Sequence, residues 1–276
     1  MTVADTPLRV PLRWGLILPP GTAGRRSLRI VERNALAYRR MWFVFLTGFA
    51  EPVLYLLSIG IGVGKLVGKL PGPGGHAIDY RQFVAPGMLA VAAMNGAVFD
   101  TTFNFFWKFK YSKTYDAVLS TPLGAGDIAL GEMTWALLRG SLYATAFLVT
   151  MVFFGLVQSA WAVLAVPVAV LVGFAFAGAG LAATTYMRSF IDFDYVNLAL
   201  VPLFLFSATF FPLSRYPGAL EWVVRCTPLY QGVALERALV LGDVHWALCV
   251  HAVYLMAMGT SGVHIAARRL GRLLQP

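Results

Sequence analysis

The sequence predicts an all-α integral membrane protein. It has six transmembrane helices, an N-terminal interfacial helix and a re-entrant helical segment before the last span. Three observations carry that reading. Of 276 residues, 58% are hydrophobic and only 13% are charged, against roughly 25% charged in a soluble domain. Mean hydropathy is +0.70. The apolar residues fall in runs of about 20, the length that crosses a hydrocarbon core. A soluble chain of this size needs a polar skin that this composition cannot supply. With 15 Pro, 27 Gly and 2 Cys, fibrous, disordered and disulfide-rich secreted classes are excluded as well.

Residues 1–41 form a cytoplasmic segment. It holds Arg9, Arg13, Arg25, Arg26, Arg29, Arg33, Arg39 and Arg40, and Pro7, Pro11, Pro19 and Pro20 break its first half. A cleaved signal peptide does not fit, because no apolar core closely follows the basic start. From about Ser27 to Arg40, Leu28, Val31, Ala35 and Leu36 share a face flanked by Arg. That pattern suits a helix lying in the membrane interface. The transmembrane domain is residues 42–267. Its first span runs from Trp42 to Gly64, with Trp42 in the interfacial ring. The second runs from Phe83 to Trp107, the third from Ile128 to Phe154 and the fourth from Trp161 to Met187. The fifth is Tyr195–Phe211 and the last His245–Ala267. Residues 212–244 are broken by Pro212, Pro217, Pro228 and Gly232 and carry Arg215, Glu221, Arg225, Glu236 and Arg237. Short helices over 219–226 and 229–241 are too short to cross, so a re-entrant hairpin is expected. A plain external loop is the other reading. Residues 268–276 are a cytoplasmic tail.

Charge sets the orientation. Of the 22 Lys/Arg, 15 fall on one side: the N-terminal segment, Lys108, Lys110, Lys113, Arg188, Arg268, Arg269 and Arg272. The opposite side has Lys65, Lys69, Arg81, Arg215, Arg225 and Arg237. The excess marks the cytoplasm, so both termini are expected there. The net charge of +9 is thereby assigned to topology and anionic lipid, with no nucleic-acid partner.

Glu51, Asp100, Glu132 and Arg139 fall inside spans, where ionisable groups face a cavity, a partner or each other. Tyr55 shares the first span with Glu51. Gly96, Asp100 and Asn104 are four apart on one face, with Asn95 beside them. They line a route for a polar headgroup or tie helices together. Glu132 and Arg139 lie on one face, two turns apart, and Glu132 is read as solvated near the cytoplasmic boundary. Gly173, Ala177 and Gly180–Ala183 make a small-residue surface for helix packing. Residues 108–132 leave the membrane with a short apolar patch at Tyr115, Ala117, Val118 and Leu119, stopped by Pro122.

Motifs for catalysis are missing from the sequence. No phosphate loop, HExxH or CxxC occurs, and His76, His245, His251 and His264 are dispersed. No cofactor or metal is expected in this chain. Asp192 and Asp194 are read as a solvated turn.

Three stretches carry a resemblance. They are YRQFVAPGMLAVAAMNGAVFD (80–100), YDAVLSTPLGAGDIALGEMTWALLRG (115–140) and FSATFFPLSRYPGALEWVVRCTPLYQGVALERAL (206–239). In this order, and with six spans, the chain resembles type-2 ABC exporter permeases. The nodulation lipo-oligosaccharide exporter permeases are most alike and the daunorubicin-resistance permeases a broader relative. The resemblance implies a bacterial inner-membrane subunit that pairs with a second copy of itself or a homologous permease. It also implies two cytoplasmic ATP-binding subunits, which bind the ATP and Mg. Residues 27–40 and 112–121 would contact those ATPases, making Arg33, Tyr38, Tyr115, Asp116 and Pro122 coupling residues. The family's route between the two permeases supports exposure of Glu51, Tyr55, Asn95, Asp100 and Asn104. Its re-entrant region maps to residues 212–241, with Pro212, Pro217, Pro228 and Arg237 as an external gate. The implied function is outward movement of an amphipathic substrate, a lipid, glycolipid or hydrophobic drug, by a chain that is not itself an enzyme. A non-transporting scaffold or channel subunit is the competing class.

Overall fold

The computed structural model describes residues 23–39, 50, 53–58, 60, 62–72 and 76–274. Helix α1 (Ala23–Arg39) comes first. A two-stranded antiparallel hairpin follows, β1 (Lys69–Pro71) and β2 (Ala77–Asp79), with Leu70 opposite Ile78. Both of those side chains are buried. Three-residue strands carry too little alternation to be seen in a sequence.

Helix α2 (Tyr80–Phe99) starts at a capping box, in which Gln82 accepts from the backbone N–H of Asp79 at 3.0 Å. It continues through two π-helical turns, Asp100–Asn104 and Trp107–Tyr111. Helix α3 (Thr114–Leu119) turns the chain into α4 (Ala125–Phe153). A 3₁₀ turn at Ala160–Leu164 leads into α5 (Ala165–Thr184). Then come α6 (Asp192–Leu205), α7 (Gly218–Cys226), α8 (Pro228–Leu241) and α9 (Leu248–Leu274).

Four helical stretches among the described residues are long and apolar enough to cross a membrane: Tyr80–Tyr111, Ala125–Phe153, Ala160–Thr184 and Leu248–Leu270. They lie within four residues of the second, third, fourth and last predicted spans. The expectation of six spans is corrected by this. About half of the first predicted span lies outside the described residues. The fifth is replaced by α6, whose 14 residues reach only about 21 Å. Pro202 sits in its last turn, the helix stops at Leu205, and Ala208 takes a left-handed φ of 56°. Hydropathy alone extended the run to Phe211.

The re-entrant hairpin is corrected too. The short helices exist, but they do not form a re-entrant pair. Trp222 of α7 is 70% exposed. Helix α8 is a member of the bundle, buried along Leu229, Val233, Leu235 and Val240 against α2, α5 and α9. A threonine cap at Thr227 and Pro228 in the first turn start it, and Gly242 at φ 87° ends it.

Helix α2 is the centre: 72% of its apolar window is buried, against 22% for α9. The small residues of α5 do their work within the chain. A Cβ on Gly178 would stand 2.4 Å from the carbonyl oxygen of Gly259 in α9, and one on Gly262 would meet Gly178 at 2.4 Å. The two backbones touch there, as small residues allow between helices in lipid. Gly178→Leu is therefore expected to lower the thermal unfolding midpoint of the purified chain, by an overpacking cost of about 1–3 kcal/mol. An unchanged midpoint would mean that the helices can part at no cost.

Candidate functional site

Arg33, Lys108 and Glu132 converge where α1, α2 and α4 meet, beside α3. Glu132 of α4 is the hub, only 5% exposed. Its Oε1 accepts from Nη2 of Arg33 at 2.9 Å, and its Oε2 accepts from Nζ of Lys108 at 2.6 Å and from Nδ2 of Asn34 at 3.0 Å. One carboxylate thus holds two cations and an amide from two other elements, the condition under which a buried charge is tolerated. The expectation of a solvated Glu132 fails, because α1 covers it. Helix α1 lies this close because Gly131 leaves room: a Cβ there would stand 2.7 Å from Cβ of Ile30. Arg26 of α1 also donates to the carbonyl of Pro122 at 3.2 Å.

A second node lies two turns along α4. Arg139 donates to Asp100 in a short charged hydrogen bond, and Nη1 donates to the Tyr38 hydroxyl at 3.2 Å. Asn104 Nδ2 donates to Asp100 Oδ1 at 2.6 Å. Asp100 and Arg139 are 8% and 7% exposed. The Tyr38 ring packs against Trp135 at 5.4 Å. Burial raises the Tyr38 phenol above its usual range, against the opposing pull of Arg139.

The two nodes are one ladder. Helices α2 and α4 run antiparallel, so Lys108 meets Glu132 and Asp100 meets Arg139. Each helix carries its acid before its base, so antiparallel packing sets opposite charges against each other. The π turns make the match: residues four apart drift by about 40° per step on an α-helix, and wider i→i+5 turns reduce that drift. Asp100, Asn104 and Lys108 thereby keep to one side.

The structure brings together five of the sequence-predicted residues: Arg33, Tyr38, Asp100, Asn104 and Tyr115. Tyr115 is fully buried with its ring 5.1 Å from Phe105. Burial, and then the nearby Glu132 charge, raises its phenol well above the usual range. Asp116 is exposed on α3 and Pro122 in the turn after it, Asn95 is exposed on α2, and Tyr55 is 45% exposed with its ring 6.5 Å from Phe204. Glu51 lies outside the described residues. The sequence marks Glu132 and Arg139 as intramembrane charges but does not mark Glu132, Lys108 or Asn34 as functional. The sequence signal is an acid followed by a base two turns on in both of two consecutive helices, an order that pairs opposite charges when the helices pack antiparallel.

Of the residues expected at the opposite end, Pro212, Pro217 and Pro228 sit at helix starts, while Arg237 is a clamp. Its Nη2 donates to the carbonyl of Ala208 at 2.8 Å, its Nε donates to that of Phe83 at 3.2 Å, and its guanidinium lies 3.8 Å over the Phe83 ring. It fastens the left-handed turn at Ala208 to α2 and α8. Desolvation lowers its pKa to about 10.

Glu236, next to it, is 0% exposed, and neither carboxyl oxygen has a hydrogen-bond partner among the described residues. Burial raises its pKa well above the ordinary 4.5. The folded chain holds that proton where the unfolded chain releases it. Stability is therefore full below about pH 4.5 and declines as pH rises towards the folded value, by up to ~1.4 kcal/mol per pH unit. Glu236→Gln is expected to raise the unfolding midpoint at about pH 8 and to flatten its dependence on pH. A variant with the wild-type pH profile would show that another group sets it.

The bundle and its charge ladder define a multi-pass helical membrane protein. No group of three or more His, Cys, Asp or Glu able to hold a metal occurs among the described residues. The family model for ABC-2 type transporters matches residues 27–241, and the chain belongs to that family. Nodulation protein J of Rhizobium leguminosarum bv. viciae is 31% identical over 261 residues, covering 92% of this chain and 98% of the relative. Nodulation protein J of Rhizobium meliloti (strain 1021) is 32% identical over 247 residues, covering 86% and 92%. The inner membrane transport permease YadH of Escherichia coli (strain K12) is 25% identical over 182 residues, covering 66% of this chain and 65% of the relative. The chain is thus a multi-pass inner-membrane permease of the ABC-2 exporter family, the non-catalytic transport component of an ABC system. Family membership implies association with ABC ATPase subunits and membrane lipids.

Proposed function

We propose that this permease exports an amphipathic lipid, glycolipid or hydrophobic drug from the cytoplasm or inner leaflet. It works as a pair of permeases carrying two ATPases, with residues 1–41 and 268–276 in the cytoplasm. The observation that carries the coupling mechanism is the hub at Glu132, where one carboxylate holds Arg33 of α1 and Lys108 of α2. ATP binds between the ATPases and draws them together. That movement reaches α1 and α3, whose Tyr115 is buried beside the hub. The ladder then transmits it to α2 and α4, because a displaced α1 moves Glu132 with it. Coupling requires that ATP and substrate each favour one of two states. Arg237 holds the opposite end shut through the Ala208 turn.

The test is ATP turnover by the chain in nanodiscs, alone and with the ATP-binding protein encoded beside it. The expected result is no turnover alone and turnover in the complex that rises with the right lipid or drug. A stable complex that no lipid or drug stimulates would favour the scaffold or channel reading.

A further inference from the structure

Beside the ladder, α2, α5, α6 and α9 border an open crevice of about 740 Å³, within the size range of small-molecule sites. Its walls are apolar: Val98, Phe176, Ala179, Ala199, Leu200 and Met258. One rim is cationic. Arg188 lines it, and Arg269 lies 3.6 Å over the ring of Tyr186, which lines it too. The Nε of Arg269 is buried with no hydrogen-bond partner among the described residues. Arg268 and Arg272 stand exposed on the same end of α9. Asp192 is the acid at the rim. Its carboxylate accepts from the backbone N–H groups of Arg188 at 2.6 Å and Ser189 at 3.1 Å, which commits it to the turn; the Arg188 side chain is exposed, and its charge acts on Asp192 without an ion pair. No ion pair to Arg188 or Arg269 occurs among the described residues.

We infer that this crevice holds an anionic glycerophospholipid of the surrounding bilayer, with its acyl chains along α5 and α6 and its phosphate between Arg188 and Arg269. An apolar slot opening to an unpaired cationic rim complements that molecule in both parts. A neutral ligand leaves the arginines unpaired, and a soluble anion leaves the slot unfilled. The inference needs only the membrane setting, not the transport reading.

The test uses the full-length chain without ATPase, delipidated in mild detergent. It is titrated with dioleoylphosphatidylglycerol or dioleoylphosphatidylcholine, and bound lipid is counted by native mass spectrometry. Phosphatidylglycerol is expected to be retained preferentially. Arg188→Gln and Arg269→Gln should each weaken it about fivefold, the effect of one basic side chain at an anionic surface, with no change for phosphatidylcholine. Ala199→Trp should fill the slot and remove both lipids. Equal retention of the two lipids, or a preference that survives loss of both arginines, overturns the inference. Should Ala199→Trp fail to fold, the unmodified chain decides. A phosphatidylglycerol with a diazirine in its acyl chain should label residues 176–187 or 195–203, and labelling elsewhere alone overturns it. Crosslinks to a second copy across the crevice, without lipid label, also overturn it in favour of a subunit contact. ATP turnover by the assembled complex is measured separately, so either reading can fail while the other stands.

Discussion

Glu132→Ala is expected to leave the permease bound to its ATPases but to lower substrate-stimulated ATP turnover tenfold or more, in line with coupling free energies of about 1–3 kcal/mol between sites. Without the carboxylate, Arg33 and Lys108 face each other across α4 and α1 loses its hold. Removing one partner from a buried charge cluster also costs stability, about 3–5 kcal/mol. The unfolding midpoint is therefore followed alongside, at a temperature where the variant stays folded. Glu32→Ala is the control. Its pair with Arg29 spans 3.2 Å on the outer side of the same helix, and such pairs contribute at most about 0.5 kcal/mol. Full stimulation in Glu132→Ala would remove the hub from the coupling mechanism. Equal loss in Glu32→Ala would show that any change in α1 is enough.

The second large effect is at Asp100 and Arg139. Each Ala substitution alone should cost roughly 3–5 kcal/mol, because it strands a buried charge. The double replacement by Leu should recover most of that, since an apolar pair needs no partner. Thermal unfolding of wild type, both singles and the double forms a cycle whose interaction term reports the pair directly. Additive losses would mean that the two side chains act independently, with Asn104 and Tyr38 sufficient to hold each one.

Hydropathy made α2, α4, α5 and α9 legible because each is a long apolar run with little charge. It failed at α6 for a physical reason: Tyr195–Phe211 is apolar apart from Asn197, Ser207 and Thr209, but its backbone leaves the helix at Phe206 and turns left-handed at Ala208. Hydropathy counts side chains and says nothing of backbone. The π turns after Phe99 are equally silent in the sequence. At the site, the positions of Asp100, Asn104, Glu132 and Arg139 were visible as polar groups in apolar runs. Their pairing across α2 and α4 was not, since it depends on register and winding. The family resemblance placed Arg33 and Tyr38 in coupling, and the structure adds the carboxylate and guanidinium they bind. Glu236 is silent in the sequence, which does not reveal that α8 is buried.

The ladder also bears on how the chain enters the bilayer. Asp100 or Arg139 alone at mid-membrane costs about 2.5–3.5 kcal/mol on the insertion scale. The two sit on consecutive crossing helices and are neutralised by each other. Helix α2 therefore gains from waiting at the translocon until α4 has emerged from the ribosome, so that the two leave for the lipid together as a preformed hairpin. Co-insertion would deliver each nascent charge with its counter-ion, which makes a joint release of α2 and α4 the energetically favoured order.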